Sequence, residues 1–385
     1  MAIALYRKYR PNTFDKVVGQ EHVTTTLINQ IKSGNISHAY LFTGTRGSGK
    51  TSTAKIFAKA INCLNPINGS PCLECEVCRL LDDSANMDVI EIDAASNNGV
   101  DEIRDLREKI KFPPTNCRYK VYIIDEVHML TTSAFNALLK TLEEPPKHAV
   151  FILATTEVQA LPQTILSRCM RFDFKSVTKE VLANHLKNVL KDNGTKFDEE
   201  SIDLIAESGN GSFRDTLSVA DMCVSFCNNN ITYDKVLDVL GISDPKVIVE
   251  LCDSVLCGDI AKSMNIVNDL IAGGKTVKII AKEISETLRN AILVNNSKQE
   301  DVEKLEIPRA DRLVALKKYP NWKVLRTLDI IGNMDGELRY NSSPRIVFET
   351  ALLKCMELKA DIDINGLVNR IRQLENEIEE LKKND

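Results

Sequence analysis

Residues Gly44-Thr45-Arg46-Gly47-Ser48-Gly49-Lys50-Thr51 spell a complete G-x-x-x-x-G-K-[ST] phosphate loop. The glycines let the backbone curl so that successive N–H groups face phosphate oxygens. Lys50 brings a positive point charge to the β- and γ-phosphates, and Thr51 offers a hydroxyl to a magnesium ion. The flanks agree with this reading. Ala39-Tyr-Leu-Phe-Thr43 predicts a short buried strand, and residues 52–61 predict a helix whose N-terminus favours an anion.

Outward from this loop, short apolar strands are expected at 39–43, 89–93, 121–125 and 150–155, alternating with helical patterns. Such alternation implies a parallel sheet covered on both faces. After Phe172-Asp-Phe-Lys-Ser-Val-Thr178 the strand signals nearly vanish. Three helices are predicted over 179–193, 199–207 and 213–226, and a second boundary falls near Gly241-Ile-Ser-Asp-Pro245. Helices are then expected at 247–256, 260–272, 277–294, 311–317, 322–340 and 344–359. The expected organisation is an α/β nucleotide-binding domain over 1–178, a helical lid over 179–242, a helical collar for oligomerisation over 243–360, and a tail helix over 361–385. In the tail, Leu367, Ile371, Leu374, Ile378 and Leu381 alternate spacings of four and three. A short coiled-coil seam and a plain amphipathic helix both fit that pattern.

Composition bounds the partners. The chain has 385 residues, 43% of them hydrophobic, and a net charge of −5, so any nucleic-acid contact must come from a local patch. Met1-Ala-Ile-Ala-Leu-Tyr6 is too short an apolar run for a signal peptide, and no stretch approaches the ~18 apolar residues of a membrane span. The expectation is a cytoplasmic protein, in which eleven cysteines point to metal binding before disulfides. Cys63, Cys72, Cys75 and Cys78 follow C-x8-C-x2-C-x2-C across a turn-rich segment. Four thiolates in a 63–78 module suit a closed, structural tetrahedral zinc site. The other seven cysteines show no such grouping.

Tyr119-Lys-Val-Tyr-Ile-Ile-Asp125-Glu126 is an apolar strand ending in two adjacent carboxylates, the arrangement in which one acid holds magnesium and the next polarises the attacking water. Asp125 takes the first role and Glu126 the second.

The order of these motifs resembles an AAA+ ATPase, and more closely the clamp-loader gamma/tau family of bacterial DNA polymerase III. Several further stretches carry the resemblance. Arg7-Lys-Tyr-Arg-Pro11 with Phe14-x-x-Val17-Val18-Gly19-Gln20 looks like the family's adenine-binding box. Asp125-Glu-Val-His128 looks like its Walker B, and Asn136-Ala-Leu-Leu-Lys-Thr-Leu-Glu-Glu-Pro-Pro146 matches a family segment. Ser167-Arg-Cys169 matches the clamp-loader signature, and Gly211-Ser-Phe-Arg-Asp215 looks like sensor 2. The resemblance implies a P-loop AAA+ module with an inserted zinc segment, a small helical lid and an all-α collar. It implies ATP, Mg²⁺ and Zn²⁺ as ligands. Tyr6, Arg10, Pro11, Val17 and Val18 become the adenine slot. Arg168 becomes an arginine projected into a neighbouring subunit's site, where such a charge is worth ~10³–10⁵ in rate. Arg214 becomes a sensor acting in cis, and Thr156, with Thr155 second, becomes sensor 1.

The implied partners are clamp-loader subunits of delta and delta-prime type, copies of the chain itself, a ring-shaped sliding clamp, and a primed double-stranded/single-stranded DNA junction gripped without sequence preference. Arg104, Arg107, Lys109, Lys111 and Lys140 are candidate phosphate contacts, although Asp101, Glu102, Asp105 and Glu108 dilute the first four. A hexameric AAA+ helicase or branch-migration motor is the alternative of another class, and a non-catalytic scaffold is a third.

Overall fold

The computed structural model describes residues 3–83, 86–298, 307, 310–340 and 343–357, together with 371, 374 and 375. Two compact units divide at Val239 and Leu240.

The first unit is built on a five-stranded parallel sheet: β1 (Ala39–Gly44), β2 (Val89–Asp93), β3 (Lys120–Asp125), β4 (Ala149–Thr155) and β5 (Met170–Phe174), in the order β2-β3-β4-β1-β5. The inner strands β1, β3 and β4 are almost wholly buried, which is why they read as continuous apolar runs. Side chains still alternate between faces. Tyr40, Phe42, Val121, Ile123 and Ile152 pack with Val23 and Leu27 of α2 (Glu21–Ser33) and Phe57 of α3 (Lys50–Asn62). Leu41, Tyr122, Ile124, Phe151 and Leu153 pack on the other side with Ile103 and Leu106 of α5 (Val100–Ile110) and Leu138 of α6 (Thr132–Glu143).

Strand β5 was not expected. Met170, Arg171 and Asp173 are exposed while Phe172 and Phe174 are buried, as befits an edge strand with one wet face, so its five residues lack the apolar run of the inner strands. Short helices α1 (Leu5–Lys8), α4 (Glu76–Leu80) and α7 (Gln163–Leu166) complete the α/β part.

Within the same unit lie α8 (Lys179–Asp192), α9 (Glu199–Ser208) and α10 (Phe213–Phe226), joined by the two-residue parallel pair β6 (Lys196–Phe197) and β7 (Asn230–Ile231). Asp198 and Ser212 cap α9 and α10 by accepting the N–H groups of Ser201 and Asp215.

The second unit, from Leu240 on, is helical among its described residues. Its helices span Pro245–Cys257, Ile260–Ala272, Val277–Asn296, Ala310–Leu313, Asn321–Tyr340 and Pro344–Met356, around a core that includes Leu251, Val255, Ile284, Leu288, Phe348 and Leu352. The helix expected over 311–317 is instead one turn followed by a 3-10 stretch, Val314–Lys318. Buried Leu313 and Leu316 stand three apart, the spacing that a 3-10 turn aligns. The tail expected over 361–385 lies outside the described residues, apart from exposed Ile371 and Leu374 and their neighbour Glu375.

Candidate active site

The sheet order sets the site. The C-terminal ends of β1, β3 and β4 lie side by side at one edge, the place where open α/β sheets bind ligands. They carry, in turn, the phosphate loop, the Asp125–Glu126 pair and Thr155–Thr156.

The loop closes tightly. Gly44 has φ +144°, and a Cβ there would lie 2.4 Å from the Phe174 carbonyl oxygen, so the neighbouring edge strand leaves room for glycine alone. Lys50 is buried, and its Nζ donates to the carbonyl oxygens of Gly44 at 2.7 Å and Thr45 at 2.9 Å. Burial pushes its pKa down, against the opposing pull of Glu126 and Asp125. Thr51 Oγ1 donates to Asp125 Oδ2 at 2.6 Å. A hydroxyl and a carboxylate meeting at the loop are the hard oxygen donors that magnesium takes, with substrate oxygens and water filling the other positions.

Glu126 has a left-handed backbone, φ 48°, which turns its carboxylate out of the strand line. Oε2 accepts the Thr156 hydroxyl at 3.1 Å and lies 3.5 Å from His128 Nδ1. His128 Nδ1 is also 3.0 Å from the hydroxyl of buried Thr155, which in turn accepts the Glu157 N–H. Both threonines at the end of β4 therefore reach Glu126, one directly and one through His128. His128 stood in the quoted Walker B stretch without a role.

A cavity of about 720 Å³ opens over the loop. Among its lining residues are Tyr6, Arg10, Pro11, Val17 and Val18 from the N-terminal arm, Arg46, Gly47, Ser48, Gly49, Lys50 and Thr51 from the loop, Asp125 and Glu126, and Arg214. The structure also brings His185, Phe213 and Leu217 of the helical segment to the wall. The His185 and Phe213 rings meet edge-on at 5.0 Å. Phe213 sits beside Arg214 in the quoted Gly211–Asp215 stretch, so that signal was available; His185 had none.

The arm and the helical segment are tied to each other and to the loop. Tyr9 Oη donates to Asp192 Oδ2 at 2.5 Å, and Arg10 Nε donates to Ser52 Oγ at 3.0 Å. The Arg214 guanidinium lies over the Tyr6 ring, 5.7 Å from its centroid. Gly47, at φ +74°, approaches Ser212 so closely that a Cβ would sit 1.9 Å from Ser212 Oγ.

Arg168 does not line this cavity. Its Nη2 pairs with Glu143 Oε1 at 2.8 Å and Nη1 donates to the Thr164 carbonyl oxygen at 2.8 Å. Of the candidate DNA contacts, Arg104 pairs with Asp101 and Lys111 with Glu108 on the exposed side of α5, Arg107 and Lys109 lie on the same helix, and Lys140 is exposed on α6.

The four cysteines converge. Cys63 Sγ is 3.4 Å from Cys72 Sγ and 3.9 Å from Cys75 Sγ, Cys72 Sγ is 3.9 Å from Cys78 Sγ, and all four sulfurs lie within 4.8 Å of one another. Tetrahedral Zn–S bonds of ~2.3 Å set sulfurs about 3.8 Å apart, so the residues fit zinc. Burial raises Cys75, but the N–H groups of Cys78 and Leu64 outweigh it and bring the thiol down to about 6. The N–H groups of Glu74 and Cys75 lower Cys72, whereas burial raises Cys63 and Cys78.

Comparison with known proteins gives consecutive matches. Family models match for the DNA polymerase III delta subunit over 19–178, the DNA polymerase III clamp loader subunit ATPase lid domain over 181–229, and domain III of DNA polymerase III subunits gamma and tau over 231–371. DNA polymerase III subunit tau of Bacillus subtilis is 42% identical over 98% of this chain and 68% of its own length. Subunit gamma/tau of Mycobacterium tuberculosis is 35% identical over 98% of this chain and 66% of its own. Subunit gamma of Buchnera aphidicola is 41% identical over 76% of this chain and 80% of its own. The chain thus spans about two thirds of the length of the first two relatives. Among solved structures, a Thermotoga maritima RuvB Holliday junction branch migration motor aligns over 64% of this chain and 79% of its own, at 18% identity and TM-score 0.46, too distant to bear on function.

Proposed function

This chain belongs to the gamma and tau family of DNA polymerase III clamp-loader subunits, and on that premise we propose an ATP-driven motor that loads a ring-shaped sliding clamp onto primed DNA. The observation that carries the proposal is one cavity in which phosphate loop, acid pair, N-terminal arm and Arg214 converge.

Lys50, freed from its loop carbonyls, and the loop N–H groups hold the phosphates. Tyr6, Pro11, Val17 and Val18 of the arm would line the slot for the base, and Phe213 and Leu217 line the same cavity. Thr51 and Asp125 are the residues that would hold Mg²⁺, which when bound would supply neutralisation of phosphate charge. Glu126 orients a water toward the γ-phosphorus and takes its proton as the bond to the bridging oxygen breaks and ADP departs. Thr156 holds the Glu126 carboxylate for that task.

Arg214 reports the γ-phosphate to the helical segment through a charge-assisted contact. Arg168, outside its own cavity and held by a half-exposed ion pair and by local hydrogen bonds to Thr164 and Ser167, reaches the neighbouring subunit's site, so that hydrolysis depends on assembly. The helical second unit is the oligomerisation collar, the four cysteines hold a structural zinc, and the complex works in the cytoplasm. Among the described residues, no helix is long and apolar enough to cross a membrane.

The test is clamp loading itself. The chain, assembled with delta- and delta-prime-type partners, should leave labelled clamp on primed circular DNA in the presence of ATP and fail with ADP. Unwinding or branch migration without a clamp would move the function to the helicase class.

A further inference from the structure

The arm segment Thr13–Val17 approaches the base slot through a single 3-10 turn, Phe14–Lys16. Such a turn leaves its first N–H groups without a partner of their own. The N–H of Phe14 finds one 56 residues away: it donates to Ser70 Oγ at 3.0 Å. Phe14 is 2% exposed, and Ser70 Oγ is the acceptor its N–H meets there.

Ser70 belongs to the four-cysteine module. Ile67 and Ser70 exchange backbone hydrogen bonds, both 2.9 Å, across Asn68 (φ 52°) and Gly69 (φ 85°), an Asn-Gly hairpin tip of the type I′ kind. Gly69 is buried against α2, where a Cβ would lie 2.8 Å from Ile28 Cγ2. The large apolar side chains of the loop add little to this anchorage, since Leu64 and Ile67 are 63% and 62% exposed. What closes the loop at its base is the cluster of four sulfurs, beginning at Cys63, directly after the phosphate-loop helix α3.

We propose that the cysteine module is a brace for the base slot: the metal-closed loop positions Ser70, Ser70 fixes the Phe14–Lys16 turn, and that turn sets Val17 and Val18 against the base. Ser70 is a positioning residue, and the metal state of the module tunes affinity for the nucleoside part of the ligand while leaving the phosphate part alone. The inference rests on the nucleotide-site reading above.

The experiment compares binding of ATP and of inorganic tripolyphosphate to the full chain in five forms: unaltered, Ser70→Ala, Ser70→Thr, zinc-stripped by a chelator, and Lys50→Ala. Zinc content is measured in each. Ser70→Ala should keep its zinc, bind ATP about threefold to tenfold more weakly, as expected for one lost hydrogen bond, and bind tripolyphosphate as before. Ser70→Thr, which keeps the hydroxyl, should restore ATP binding, and zinc removal should weaken ATP at least as much as Ser70→Ala. The proposal is overturned by unchanged ATP affinity in either Ser70→Ala or the zinc-stripped chain, or by equal losses for ATP and tripolyphosphate. Lys50→Ala separates the two levels. If it alone weakens both ligands, the nucleotide site stands and the brace falls; if it binds both as the unaltered chain does, the site reading falls and takes the brace with it.

Discussion

Replacing Gly47 by alanine probes the closest approach between the phosphate loop and the helical segment. Two costs follow from the structure. Gly47 has φ +74°, and an L-residue there costs ~1–2 kcal/mol. The new Cβ would also fall 1.9 Å from Ser212 Oγ and 2.9 Å from Ser212 Cβ, so Ser212 must move. Ser212 caps α10 by accepting the Asp215 N–H, and losing a cap costs ~1 kcal/mol. Together these come to about 2–3 kcal/mol, or roughly 30-fold to 150-fold in ATP affinity if the loop and Arg214 must be in register to bind. Titration with a fluorescent adenine nucleotide reads the loss. Ser212→Ala removes the clashing oxygen, so the double variant should be less damaged than the two single variants summed, by about 1 kcal/mol. Strict additivity, or ATP binding by Gly47→Ala equal to that of the unaltered chain, would refute the close approach and with it the coupling of loop to helical segment.

Other consequences are equally direct. Arg168→Ala should spare ATP binding and cut the stimulated turnover of the assembled complex by ~10³-fold or more, measured as steady-state phosphate release; normal turnover removes the arginine from the neighbour's site. His128→Asn keeps a polar atom where Nδ1 stands and should retain most of the turnover, whereas His128→Leu should lower kcat at least tenfold with KM unchanged, because Glu126 and Thr155 lose their shared partner. In the second unit, burial pushes the Asp253 carboxyl up, but Lys318 and Tyr319 outweigh it and hold its pKa below the usual value. Its stabilising share is therefore present above the unfolded-state pKa and lost as pH falls through the lower folded one, so acid unfolding followed by circular dichroism should lose part of its pH dependence in Asp253→Asn.

Much of this was legible from residues in sequence order. The inner strands declare themselves because both faces are buried, and the phosphate loop and acid pair because their chemistry is local in sequence. Strand β5 escaped because only Phe172 and Phe174 of its five residues face the core, a signal shorter than most turns. His185 entered the cavity wall without any motif, placed there by the packing of α8 against α10. The Phe14–Ser70 hydrogen bond links an arm turn to a cysteine loop through one serine, and serine is common in turns for reasons unrelated to distant partners. The sensor role expected of Thr156 rests on resemblance; the contact of its hydroxyl with Glu126, at 3.1 Å, has no signature in the sequence.

The activity proposed for this site is ATP turnover in the service of a clamp. It is met most directly by steady-state ATP hydrolysis of the chain assembled with its delta- and delta-prime-type partners, with and without sliding clamp and primed DNA. The account predicts strong stimulation that needs both clamp and primed junction and disappears in Lys50→Ala. Turnover that responds to DNA and ignores the clamp would contradict it, and so would an assembled complex with no turnover while fold and zinc are intact.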